Sequence, residues 1–182
     1  AETPTILVVG DSLSAEYGLA RGTGWVALLT QKLQADKVPA QVVNASISGD
    51  TTAGGRARLP ALLKTHQPQL VVIELGSNDA LRGLSLQATQ ANLTAMTQAA
   101  QQAGAKVLLI GMQMPPNYGA AYGKQFSELF GQVAKANGAA LVPFMLKGVA
   151  DQADALKLFQ ADRIHPTAAA HPTILANIYP SL

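Results

Sequence analysis

Short apolar runs alternate with longer segments of helical periodicity five times along this chain. That alternation narrows the possible folds more than any single motif. Residues 5–10, 41–45, 70–75, 106–110 and 139–142 read as strands. Residues 25–35, 52–65, 85–103 and 118–137 carry apolar side chains at helical spacing, for example Val26, Leu29 and Leu33, or Leu93, Met96, Ala100 and Ala103. Ser85 is placed to cap the third of these helices and Gly104 to stop it. Residues 147–158 are expected to be helical, and a last helix is expected after Pro166. The third and fourth strand runs are apolar without alternation, Glu74 excepted. Strands of that kind are covered on both faces, so the expected class is α/β, a parallel sheet between helical layers.

Composition sets limits on function. The chain has 182 residues, 48% of them apolar, and a net charge of +2, so it can bury a core and is not a disordered segment. No internal repeat or linker divides it, and residues 1–182 read as one domain. No apolar run approaches the roughly 18 residues of a membrane helix. The absence of cysteine excludes disulfides, thiolate metal sites and cysteine nucleophiles. Lys and Arg are scattered, with Arg56 and Arg58 the closest pair, so no basic stripe for nucleic acid is present. The first residue is Ala1 and not Met, which fits removal of an export signal and fits an edited start equally well.

In an open parallel sheet, ligands bind beyond the carboxyl ends of the strands. The segments there are Gly10-Asp11-Ser12-Leu13-Ser14, Ser46-Ile47-Ser48-Gly49-Asp50-Thr51, Gly76-Ser77-Asn78-Asp79, Gly111-Met112-Gln113-Met114-Pro115-Pro116 and Asp162-Arg163-Ile164-His165-Pro166. Small, polar and acidic residues thus gather on one edge from separate stretches of sequence. Asp162 and His165, three apart, can lie on the same side of one turn. The carboxylate could then orient the imidazole and leave its other nitrogen free as a base for a serine hydroxyl. His66 is expected to be a helix-end residue and His171 structural. Glu74, a carboxylate in an apolar strand, needs a partner, and Arg56 or Arg58 is the expected one.

Four of these blocks, around Ser12, Gly49, Asn78 and Asp162 to His165, occur in the order and spacing of the GDSL or SGNH hydrolases, a family this chain resembles from about Thr5 to Pro180. Residues 44–51 and 57–68 resemble its bacterial periplasmic thioesterase and lysophospholipase group. The resemblance implies a three-layer α/β/α, flavodoxin-like domain with five parallel strands in the order 2-1-3-4-5. It implies Ser12 as nucleophile, His165 as general base and then acid, and Asp162 as the residue that orients it. It implies an oxyanion hole made by the backbone N–H groups of Ser12 and Gly49 and the side-chain amide of Asn78. The implied activity is hydrolysis of acyl thioesters, lysophospholipids and small aryl esters through an acyl-serine. No metal or organic cofactor is expected, and the expected protein is a periplasmic or secreted monomer acting on a small molecule.

The expected substrate wall comprises Asp11, Ser77, Leu81, Met112, Met114, Pro115, Tyr118, Leu158 and Ile164, with flexible methionines suited to acyl chains of varied length. Asp11 is also expected to shape its own loop through local backbone N–H groups. Arg163 stands where the family often has Gly and is expected at the mouth, favouring anionic head groups. Three alternatives stay open at this point. One is a carbohydrate deacetylase of the same family. Another is a metal phosphoesterase built on Asp11, Asp50, Asp79, Asp162 and His165. The third is a non-catalytic flavodoxin-like binding domain.

Overall fold

The computed structural model describes residues 3–182. Ala1, on which the expectation of signal removal turns, lies outside the described residues. Strands β1 (Thr5–Gly10), β2 (Gln41–Asn44), β3 (Leu70–Glu74), β4 (Lys106–Ile110) and β5 (Ala140–Val142) form one parallel sheet in the order β2-β1-β3-β4-β5. This is the expected order. Leu7, Val8, Val9, Val71, Val72, Leu108 and Leu109 are fully buried, because helices cover both faces of the strands that carry them.

The helices are α1 (Trp25–Ala35), α2 (Thr52–His66), α3 (Ser77–Leu81), α4 (Leu86–Gln102), α5 (Ala120–Asn137) and α6 (His171–Ile178). The crossover from β1 to β2 runs one way across the sheet and the crossover from β2 to β3 runs back. Right-handed crossovers therefore put α1 and α2 on opposite faces. Helix α1 packs with α6, and α2, α4 and α5 pack in succession. Ser85 caps α4 by accepting from the Ala88 N–H, as expected. Helix α1 has no cap from its own N-terminal flank. The backbone N–H of buried Trp25 donates instead to His171 Nδ1 across 2.9 Å, which gives His171 the structural role expected of it.

The local departures have local causes. Residues 147–158 do not form a helix. Gly148 takes φ +79°, the Asp151 carboxylate accepts from its N–H at 2.7 Å, and only Ala155–Leu158 closes a 3₁₀ turn. A last helix does follow Pro166, as expected, starting at His171 after a 3₁₀ turn over Ala168–Ala170. Ala103 is exposed as the cap residue of α4 rather than inward. Helix α3 was not expected: five residues are too few to show a periodicity. Among the described residues no helix is long and apolar enough to cross a membrane.

Candidate active site

Strand order reverses between β1 and β3, which opens a crevice at their carboxyl ends. Gly10 and Glu74 lie side by side where the two strands finish. Ser12 follows β1, and its Oγ lies 2.8 Å from His165 Nε2, although 153 positions separate them in sequence. His165 Nδ1 lies 2.5 Å from Asp162 Oδ2. The other oxygen, Asp162 Oδ1, accepts from the backbone N–H groups of Ile164 at 2.9 Å and His165 at 3.0 Å. What burial there is raises the Asp162 pKa, but the hydrogen bonds from the His165 backbone, its ring and the Ile164 backbone outweigh that and hold it at about 2. Asp162 is therefore ionised at neutral pH. Tyr17 covers one face of the imidazole, with ring centroids 4.2 Å apart and planes tilted by 37°. Gln160 ties the two loops, its side chain donating to the Tyr17 carbonyl at 2.9 Å and its backbone N–H to the His165 carbonyl at 2.7 Å. No sequence spacing announces Tyr17, because its contacts with His165 and Gln160 join segments more than 140 residues apart.

Gly49 takes φ +83°, a conformation that glycine adopts without strain. Among the described residues, neither its backbone N–H nor that of Ser12 donates an internal hydrogen bond. Asn78 spends one amide N–H on the Asp50 carbonyl at 2.8 Å and keeps one more to offer. Asp79 is buried and structural: it accepts from the Thr52 backbone at 2.8 Å, the Thr52 hydroxyl at 2.6 Å and the Thr89 hydroxyl at 3.0 Å. It thereby ties the Asn78 segment to the start of α2.

Glu74 does not pair with Arg56 or Arg58. Its Oε1 accepts from the Ser14 hydroxyl at 2.6 Å, and the Trp25 indole N–H donates in turn to Ser14 Oγ at 3.1 Å. Beside it sits Asp11, 1% exposed, so the expectation that Asp11 borders the substrate is corrected. Asp11 Oδ1 accepts from the Leu13 N–H at 3.0 Å and shapes the nucleophile loop, as expected. Asp11 Oδ2 is buried with no donor unless Glu74 carries a proton. Burial, and then the charge of Asp11, push Glu74 well above the carboxylate range. Burial likewise raises Asp11 from 3.8 to about 6. A carboxyl with a raised folded pKa contributes stability below its unfolded pKa and loses it as pH rises through the folded value. The pair is thus expected to withdraw stability from wild type from about pH 4 upward through pH 6. Glu74→Gln, which keeps an oxygen acceptor without the charge, is expected to gain on wild type at each step of urea unfolding measured at pH 4.5, 6 and 8. A constant difference between the two would overturn this account of the pair.

The expected wall divides. Tyr118 and Ile164, 38% and 46% exposed, stand open on this edge with Pro115, and Leu81 and Ser77 are partly covered. Met112 is 8% exposed and belongs to the core, so it is withdrawn from the wall. Met114 and Leu158 also pack against the core, though partly accessible. Two cavities of about 390 and 490 Å³ border Tyr179, and none of the expected site residues lines them. The carboxylates of the alternative metal site do not converge either. Asp50 pairs with Arg58, Asp79 with two threonines and Asp162 with His165, and among the described residues no three metal-ligating side chains form a group.

A serine hydroxyl on an imidazole oriented by a carboxylate, at the switch point of a parallel sheet, is the arrangement of a serine-type ester hydrolase. The chain belongs to the GDSL-like Lipase/Acylhydrolase family, whose model matches residues 8–172. It is 54% identical to the esterase TesA of Pseudomonas aeruginosa over 182 residues, 100% of this chain and 89% of that one. It is 44% identical to the thioesterase 1/protease 1/lysophospholipase L1 of Escherichia coli over 174 residues, 96% of this chain and 81% of that one. The structure of a psychrotrophic esterase, EstA from a Pseudoalteromonas species, inhibited by monoethylphosphonate, superimposes with a TM-score of 0.91 at 42% identity, covering 97% of this chain and 95% of that one. The chain is thus a carboxylic ester hydrolase of this family, and a non-catalytic binding domain is set aside.

Proposed function

We propose that this enzyme hydrolyses acyl esters and thioesters, including lysophospholipids and small aryl esters, through an acyl-Ser12 intermediate. The observation that carries this is the continuous hydrogen-bonded path from Ser12 Oγ through His165 to Asp162, at 2.8 and 2.5 Å. In the first half-reaction Ser12 Oγ bonds to the acyl carbon while its proton passes to His165 Nε2. The carbonyl oxygen, now negative, receives N–H groups from Ser12, Gly49 and Asn78. The C–O or C–S bond then breaks, and the imidazolium returns the proton to the departing alkoxide or thiolate. In the second half-reaction water attacks the acyl carbon and gives a proton to Nε2, the bond from the acyl carbon to Ser12 Oγ breaks to release the acid, and the imidazolium returns the proton to Oγ. Asp162 stays ionised throughout and holds Nδ1–H, so that Nε2 is the accepting nitrogen.

The names of the relatives, esterase and thioesterase/lysophospholipase, support the breadth of this substrate range. This reading takes residues 1–182 as a single hydrolase domain, which the family match over residues 8–172 supports, and takes the enzyme as periplasmic or secreted, as the resemblance of residues 44–51 and 57–68 to the periplasmic group implies. The test is p-nitrophenyl ester hydrolysis coupled to mass spectrometry after treatment with an alkyl phosphonate. One adduct on Ser12 and loss of activity in proportion to it are expected. An adduct elsewhere with full inactivation would overturn the assignment.

Arg163 sits one residue from Asp162 with φ +60°, its side chain exposed and in no ion pair among the described residues. That leaves its charge free for an anionic head group. Arg163→Ala is expected to lower kcat/KM for a phosphate-bearing ester by about two- to fivefold relative to a neutral ester, the scale of an exposed ion pair. Equal effects on both substrates would remove this role.

A further inference from the structure

Arg58, one of the two arginines expected to neutralise Glu74, does something else. Its guanidinium donates to three acceptors on the carboxyl edge of the sheet. Nε reaches Asp50 Oδ2 at 2.8 Å, Nη1 reaches the Ala45 carbonyl just past β2, and Nη2 reaches the Gly10 carbonyl at the end of β1, across 3.4 Å. The Gly10 carbonyl also accepts from the Ile47 N–H at 3.0 Å, so β1 and the loop after β2 meet at one oxygen. The two side chains of the Arg58–Asp50 pair are only 21% and 12% exposed, which weakens solvent screening.

Resting on the functional reading above, we infer that Arg58, acting through Asp50, is a positioning residue that fixes the Gly49 N–H relative to Ser12. Gly10 lies two residues before Ser12, and Asp50 directly follows Gly49. One planar side chain therefore spans the backbone of the nucleophile and that of an oxyanion donor. Other contacts complete the hold on the Gly49–Asp50 segment. Asn78 donates to the Asp50 carbonyl at 2.8 Å, Arg82 donates to the Gly49 carbonyl at 3.2 Å, and Asp50 Oδ1 accepts from the Thr51 N–H at 3.0 Å. With its carbonyls and carboxylate all engaged, the loop leaves the Gly49 N–H as the group still to be satisfied. Gly54 makes room for the clamp: a Cβ there would fall 1.9 Å from Asp50 Oδ1. The task needs a fork of donors in one plane, which the single ammonium of lysine does not supply.

The test compares Arg58→Lys, Arg58→Ala and Asp50→Asn with wild type on p-nitrophenyl acetate. Arg56→Ala serves as control, since among the described residues Arg56 makes only an exposed hydrogen bond to Asn92 at 3.2 Å. An alkyl trifluoromethyl ketone, which forms a tetrahedral adduct with a serine, reports on the oxyanion site. For Arg58→Lys and Asp50→Asn we expect kcat to fall about 10–100-fold, less than or equal to the loss of one oxyanion donor. KM should stay within twofold of wild type, and ketone affinity should fall by the same factor as kcat/KM. Millimolar guanidinium should restore part of the activity of Arg58→Ala. If Arg58→Ala does not fold, Arg58→Lys and Asp50→Asn decide the matter. A kcat within twofold of wild type in these two variants, or a KM rise at constant kcat, would overturn the inference. So would a loss of kcat with ketone affinity intact. Ser12→Ala, run in parallel, separates the two levels: activity retained there defeats the catalytic assignment itself, whatever Arg58 does.

Discussion

Ser12→Ala is expected to lower kcat for ester hydrolysis by about 10⁴–10⁶-fold while leaving the fold intact. Removing Oγ deletes the atom that forms the acyl bond, and the remaining donors can only assist attack by water. Structurally the loss is small. The one hydrogen bond made by Ser12 Oγ among the described residues is to His165 Nε2, and Ser12 is only partly buried. Unfolding free energy is therefore expected to stay within about 0.5 kcal/mol of wild type, the usual range for a substitution that disturbs neither core nor cap. The measurement is single-turnover hydrolysis of a p-nitrophenyl ester together with thermal unfolding. A variant with a tenth of wild-type kcat or more would end the acyl-serine mechanism. An inactive variant that had also lost its cooperative melt would leave the effect to unfolding, so both measurements are required.

Asp162→Asn is expected to cost about 10²–10⁴-fold in kcat with little change in KM. The asparagine carbonyl can still accept from the Ile164 and His165 N–H groups that Asp162 Oδ1 holds at 2.9 and 3.0 Å. The turn therefore survives. The amide facing His165 Nδ1 is now a donor, so Nδ1 becomes the acceptor and the proton moves to Nε2. Nε2 then faces Ser12 Oγ with a hydrogen and cannot take the serine proton. The upper end of the range is what the wrong tautomer costs in a buried triad. The lower end reflects an Asp162 side chain that is 35% exposed, where water can compete for Nδ1. Nitrogen-15 shifts of the His165 ring would report the tautomer directly. A kcat within threefold of wild type, or an Nδ1–H tautomer retained in the variant, would contradict this account.

Both predictions concern residues found in the sequence, and others that matter were not. Ser12 and the Asp162–His165 pair stand out in the sequence because they follow strands or share one turn, whereas the oxyanion roles proposed for Gly49 and Asn78 rest on the resemblance to the family and not on local chemistry. Glu74 stands out in the sequence as a carboxylate in an apolar strand, but charge alone points to an arginine partner that it does not have. A buried carboxyl can also stay neutral, and Glu74 is satisfied by Ser14 and by a proton facing Asp11. Met112 follows β4 just as the site residues follow their strands, yet its side chain turns into the core. Position along the chain gives the edge but not the face. Residues 147–158 have helix-forming composition, but Gly148 and the Asp151 side chain divert the backbone.

The amino-acid sequence by itself determined the layer architecture, because continuous apolar runs and period-3.6 patterns are local and parallel strands must be buried on both faces. It also determined which edge of the sheet would carry the chemistry. Only the tertiary structure decided the partnerships: Tyr17 against His165, Glu74 beside Asp11, and Arg58 across Gly10, Ala45 and Asp50. The physical reason is that hydrogen bonds act over about 3 Å and require aligned donors and acceptors. Whether two groups meet at that range depends on how elements far apart in sequence pack, and no spacing along one chain encodes it.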